Sequence, residues 1–312
     1  MRPGIEPRGP SRVGGRRRSS GGGSSAIRAA KRTFWAIGIA VVLIVTGIVV
    51  WVFAGQSTKP ATAAHPTHSD SEIFRAAGDP PAQDTPPPST KQMLKMAKTF
   101  VEATQPSDLP GLVHLNGKKP EELFERMVAM AKADGSVAKI IDLGAMPNLT
   151  LPLQGVVVTY GEQRNRLILF CPDAEGQWLI DFDAFARASS IPWKELLSDQ
   201  DRTGTVRVYL SQDTYYNSRF SDDSQWACYG MKSPDEPTLV FGYTPKNSPV
   251  DQAITEALRF KLSTATSVGS SLLRMTLEIR HVPGDETRQF EIVRAIADDW
   301  ATPTRPLDAH YH

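Results

Sequence analysis

Asp181 and Asp183 stand at a spacing that could do chemistry. They close the alternating segment Trp178-Leu179-Ile180-Asp181-Phe182-Asp183. Residues two apart on a strand share a face, so a strand reaching residue 183 presents both acids together, as a divalent cation or an acid–base pair requires. The plainer reading is a solvated strand face on which Asp183 caps the following turn. Cys171 and Cys228 are the only cysteines, lie in apolar segments far apart in the chain and read as small buried thiols. Two are too few for a cysteine-rich metal site, and no Cys-x-x-Cys spacing exists. His281 continues the apolar face of its segment, which suits a core-edge histidine better than a catalytic base. The chain holds no Gly-x-Ser-x-Gly elbow, phosphate-binding loop, His-Glu-x-x-His or Gly-x-Gly-x-x-Gly. No catalytic residue, metal ligand or cofactor is assigned.

Aromatic side chains offer a different chemistry. Tyr209, Tyr215, Tyr216, Phe220, Trp226, Tyr229, Phe241 and Tyr243 are eight of the 25 Phe, Trp and Tyr residues, gathered within 209–243. Tyr215 and Tyr216 are adjacent in the polar stretch Ser211-Gln212-Asp213-Thr214 to Asn217-Ser218-Arg219, and neighbours on an extended backbone point apart. Burial of both is therefore not expected. Tyr215, Tyr216 and Arg219 form the candidate binding surface, because aromatic and guanidinium groups dominate recognition hot spots. The competing reading places these rings in a core or a seam.

The segments that must position these residues are divided by charge and hydropathy. Residues 1–32 carry nine Lys/Arg against Glu6 alone, and the remainder carries 26 basic and 33 acidic side chains. A basic head on an acidic body does not suit a nucleic-acid binder, whose folded surface is basic. Phe34–Ala54 is uncharged and rich in Ile, Val and Leu, with Trp35 and Trp51 near its ends. As a helix it spans roughly 31 Å, the thickness of a bilayer's hydrocarbon. Six Lys/Arg lie in 14–33 and one in 55–74, which sets the N-terminus in the cytoplasm and the bulk of the chain outside it, in the periplasm if the source is bacterial. The expected partners are the lipid bilayer through 34–54, anionic lipid near the basic tail, and an extracytoplasmic protein or small ligand. Residues 55–90 hold seven prolines and read as a stalk.

Beyond the stalk, apolar spacing predicts helices over Lys91–Thr104 and Glu121–Ala133. Strands follow at 140–143, 155–160, 166–171 and 177–183, the last two joined by the turn Asp173-Ala174-Glu175-Gly176, and Ile191–Leu197 reads as a short helix. The second half alternates at 205–210, 225–231, 238–243, 273–280 and 289–297, with one helix over Pro249–Leu262.

Helices first, then an antiparallel meander ending in Gly176-Gln177-Trp178-Leu179-Ile180-Asp181, resembles the cystatin-like cone of the nuclear-transport-factor-two superfamily over roughly 91–185. Asp181-Phe182-Asp183-Ala184-Phe185, Pro192-Trp193, Tyr215-Tyr216-Asn217 and Phe220-Ser221-Asp222 are similar to uncharacterised bacterial single-pass membrane proteins of this layout, a resemblance that brings no activity with it. The expected class is α+β: a disordered basic tail (1–33), a transmembrane helix (34–54), a stalk (55–90), a cone-like domain (91–200), a second antiparallel α+β domain (201–302) and a tail (303–312). The function expected is non-catalytic binding by a membrane-anchored extracytoplasmic protein. The alternative is an extracytoplasmic enzyme. Asp181-x-Asp183 resembles the metal–nucleotide motif of glycosyltransferases, although no nucleotide-binding βαβ pattern surrounds it, and cone-fold isomerases and hydratases share the superfamily.

Overall fold

A computed structural model describes residues 85–161, 164–264 and 272–311. Among them no helix is long and apolar enough to cross a membrane. The basic tail, the run 34–54 and the stalk up to residue 84 lie outside the described residues.

The first half opens with helix α1 (Thr90–Val101). Its start is set by a capping box, in which Ser89 and Gln92 each accept the other's backbone N–H, and Met93, Ala97 and Phe100 face inward at helical spacing. A two-residue strand β1 (Val113–His114) precedes helix α2 (Pro120–Asp134). Pro120 suits the first turn of α2, where its missing N–H costs nothing, and Gly135 ends it at φ +86°. Strands β2 (Val137–Met146), β3 (Leu153–Tyr160), β4 (Asn165–Pro172) and β5 (Trp178–Asp181) then run as a meander. The sheet order is β1-β5-β4-β3-β2. Phe100, Val156, Val158, Ile168, Phe170, Ile180 and Phe182 centre its core.

Two expectations change here. The sheet is not wholly antiparallel, because β1 pairs parallel with β5, His114 opposite Asp181. Strand β5 stops at Asp181, whose side chain accepts from Ala184 N at 2.8 Å and so caps the helical turn α3 (Phe182–Phe185). Asp181 and Asp183 therefore do not share a strand face.

After the short helix α4 (Trp193–Leu196), the second half forms a closed five-stranded barrel. Its strands are β6 (Arg202–Asp213), β7 (Trp226–Lys232), β8 (Leu239–Pro245), β9 (Leu273–His281) and β10 (Gln289–Ala297). The order around the barrel is β6-β7-β8-β10-β9 and back to β6. The expected antiparallel sheet is corrected by one pair: β8 and β10 run parallel, with Phe290 opposite Gly242. A Cβ on Gly242 would sit 2.7 Å from Ile292 Cδ1 and 2.9 Å from Met231 Cε, so this crossing admits glycine alone without repacking. Helix α5 (Pro249–Thr264), between β8 and β9, lays Ala253, Ile254 and Ala257 on the barrel core. The segment expected as a tail instead packs down: Leu307 is fully buried, and Asp308 pairs with Arg294 on β10.

A third apolar cluster joins the halves. Leu153, Leu167, Leu169, Cys171 and Ala184 from the first half enclose Trp300 and Ala301, which follow β10. Arg207 of β6 is buried in this seam and donates to Ala188 O, Trp300 O and Thr302 Oγ1, each within 2.9 Å.

Candidate functional site

The loop from β6 to β7, residues 214–225, carries all three residues read as a binding surface, and it folds back over the outer face of β7 and β8. That face presents Cys228, Phe241 and Tyr243, while the alternate residues Tyr229, Met231 and Val240 point into the barrel. Two loop rings cover it. Tyr215 stacks on Phe241 with centroids 4.3 Å apart, and Phe220 lies parallel to Tyr243 at 4.1 Å, edge-on to Trp226. The Tyr215 carbonyl accepts from the Tyr243 hydroxyl at 2.6 Å.

The turn between β9 and β10 clamps the same loop from the side. Tyr215 Oη donates to Glu286 at 3.0 Å, and Asn217 Nδ2 donates to the other Glu286 oxygen at 2.7 Å. Arg219 reaches Asp285 at 3.2 Å and Glu291 at 2.9 Å, with its guanidinium carbon 5.1 Å from the Phe220 ring centre. The structure thus brings Tyr215 and Arg219 into one bonded rim. Tyr216 leans half-buried on the same aromatic cluster, and burial raises its phenol above the usual range. Neither tyrosine is fully exposed; the Arg219 side chain, at 37% exposure, is the most open of the three.

The paired acids are occupied separately. Asp181 is 2% exposed, and its second oxygen accepts Thr302 N at 3.1 Å, across the seam. Asp183 forms an ion pair with Lys118. Among the described residues, no three His, Cys, Asp or Glu side chains converge as a metal would require.

Cys171 and Cys228 are free and buried. His114 Nε2 lies 3.3 Å from Cys171 Sγ, a pairing reminiscent of nucleophilic thiols, but the environment works against it. Burial, reinforced by the charges of Asp181 and Asp173, pushes the Cys171 thiol far up, which favours the protonated thiol over the reactive thiolate. Burial likewise pushes Cys228 up to about 11.

A further polar cluster escaped sequence reasoning. Asp298 and Asp299 follow β10 and enter the seam. Arg274 of β9 neutralises Asp299 with bonds of 2.8–3.2 Å. Asp298 accepts Leu149 N at 2.7 Å instead, and burial pushes its carboxyl up to about 6. The signal available was Asp298-Asp299-Trp300 at the end of an apolar strand, where two charges and an indole together imply burial with partners.

No family model, curated protein or solved structure matches this chain.

Proposed function

We propose that the chain is a membrane-anchored, extracytoplasmic, non-catalytic binding protein that engages a protein partner through the rim built by residues 214–225 against the turn 282–288. The observation that carries this reading is the rim itself. Tyr215 and Phe220 are stacked on the barrel, and Arg219 and Asn217 are tied to Asp285, Glu286 and Glu291, so the outer surface around Tyr216 and Arg219 is held in one arrangement before a partner arrives. Preorganised aromatic and arginine groups lose little entropy on binding.

The barrel connectivity supports the reading. Five strands in the order first-second-third-fifth-fourth, with a helix between the third and fourth, follow the Greek-key barrel of the OB type, which holds ligands on its second and third strands and the adjoining loops. Here the chain's own loop covers that face, so a partner meets the loop's outer side. Asp285 and Glu291 pair with Arg219, Glu286 lies on the same rim, and Asp213, Asp222 and Asp223 flank it in sequence, a charge balance that disfavours phosphate backbones and favours a protein with basic or polar groups. In the first half, helices followed by a meander support the cone-like reading. Anchoring rests on the uncharged run 34–54 and its flanking charge. For the enzyme alternative, Asp181 and Asp183 offer no shared site, since each is bound to a different group.

The test is a double variant, Tyr216→Ala with Arg219→Ala, in the full-length chain. Partner capture should fall at least tenfold, with the melting temperature within a few degrees of the parent. Undiminished capture rules the rim out.

A further inference from the structure

The seam between the two halves holds a carboxylate with no cation to balance it. Asp298 is 5% exposed and sits just past the end of β10. It reaches across to the first half, where it accepts Leu149 N at 2.7 Å and Thr150 Oγ1 at 3.4 Å. Its own backbone N–H adds a third bond, but no cation reaches it, whereas Arg207 donates three hydrogen bonds and Asp299 is held by Arg274.

The charged groups facing Asp298 do not compensate it. Asp299, its chain neighbour, adds like charge. Arg274 from β9 is committed to Asp299. Lys261 of α5 lines the same water-sized space, but its own ammonium is disfavoured by burial and by Arg274, and it is drawn to Asp299. Tyr311, from the C-terminal segment, is a phenol that burial pushes up to about 12, and it stays neutral. The turn 147–150 brings no titratable side chain. Ionising Asp298 therefore places an uncompensated charge in a water-poor seam, next to another carboxylate.

We infer that Asp298 is a pH-sensitive latch between the two halves: protonated, it closes the seam onto the turn 148–150, and ionised, it loosens that contact. A carboxyl whose pKa is higher in the closed state than in the open one stabilises closure below the ordinary carboxylate range, and loses that contribution as pH rises toward the closed-state value. With an ordinary value of 3.8 and a buried one of about 6, the change falls between those two pH values.

Hydrogen–deuterium exchange of the full-length chain tests this through the peptide containing Leu149. After correction for the intrinsic pH dependence of exchange, its protection should fall by up to about tenfold per pH unit between roughly pH 4 and 6, and level off above. A reference peptide from β7 at 228–231, away from the seam, should hold its protection, and Asp298→Asn, which keeps an acceptor for Leu149 N, should flatten the profile. Three results overturn the proposal: a flat wild-type profile, an equal slope in the Asn variant, or an equal loss in the reference peptide. If the variant fails to fold, the wild-type series against its reference decides.

Discussion

The ring of Phe220 lies flat on the ring of Tyr243, with centroids 4.1 Å apart and planes 1° from parallel. Phe220 belongs to a loop and Tyr243 to the outer face of a barrel strand, so this contact converts a 12-residue connection into a fixed surface. Phe220 is fully buried. Its replacement by Ala should cost about 3–5 kcal/mol, the range for a truncated core phenylalanine. Urea unfolding checks this; a loss under about 1 kcal/mol would show that the loop is not held by this ring.

The parallel crossing of β8 and β10 makes a separate demand. Gly242→Ala forces a methyl group to within 2.7 Å of Ile292 and 2.9 Å of Met231. Overpacking of this kind costs roughly 1–3 kcal/mol. The midpoint of urea denaturation should drop accordingly, whereas alanine at Gly161, where a Cβ meets nothing within 4 Å, should be tolerated.

Stability should depend on pH through groups of opposite sign. The pKa of Asp298 is raised by burial, so its contribution is present below about 3.8 and lost as pH climbs to about 6. Asp201, held down chiefly by its bond from Arg280, and Asp222, held down by Ser224, contribute above the ordinary carboxylate range and lose that contribution as pH falls. Asp298→Asn removes only the first term. At pH 7 the variant should be more stable than the parent, by on the order of 1–3 kcal/mol, and at pH 4 the two should coincide.

The proposed anchoring, argued from flanking charge, puts residues 55–312 on the extracytoplasmic side. A reporter active only outside the cytoplasm, fused after His312, should function, and one active only inside should be silent. The opposite pattern reverses the assignment.

Local pattern revealed most elements and little of how they meet. Pro120 with Gly135 and the turn at Asp173–Gly176 are short-range signals, and the elements they bound lie within a few residues of expectation, whereas the capping pair Ser89 and Gln92 went unread. Alternation in β6 through β10 shows which residues face inward. It does not say which strand lies alongside, so the parallel pairs β1–β5 and β8–β10 and the closure of the barrel were invisible. Asp181 looked like half of a carboxylate pair because its partners, Ala184 N and Thr302 N, are backbone groups that leave no mark in side-chain spacing. The same limit applies to Tyr215. Its polar neighbours argued against full burial, and it is half-buried, but its partners Phe241 and Glu286 lie far along the chain and leave no local mark.

The claim that the 214–225 rim is a recognition surface is tested most directly by site-specific photocrosslinking in living cells. A photoreactive phenylalanine analogue at Tyr216 should yield a discrete protein adduct, lost when Arg219 is changed to Glu. The same analogue at Lys194, an exposed position on α4, should yield none. Adducts at 194 and none at 216, or an adduct at 216 indifferent to Arg219→Glu, would contradict the account.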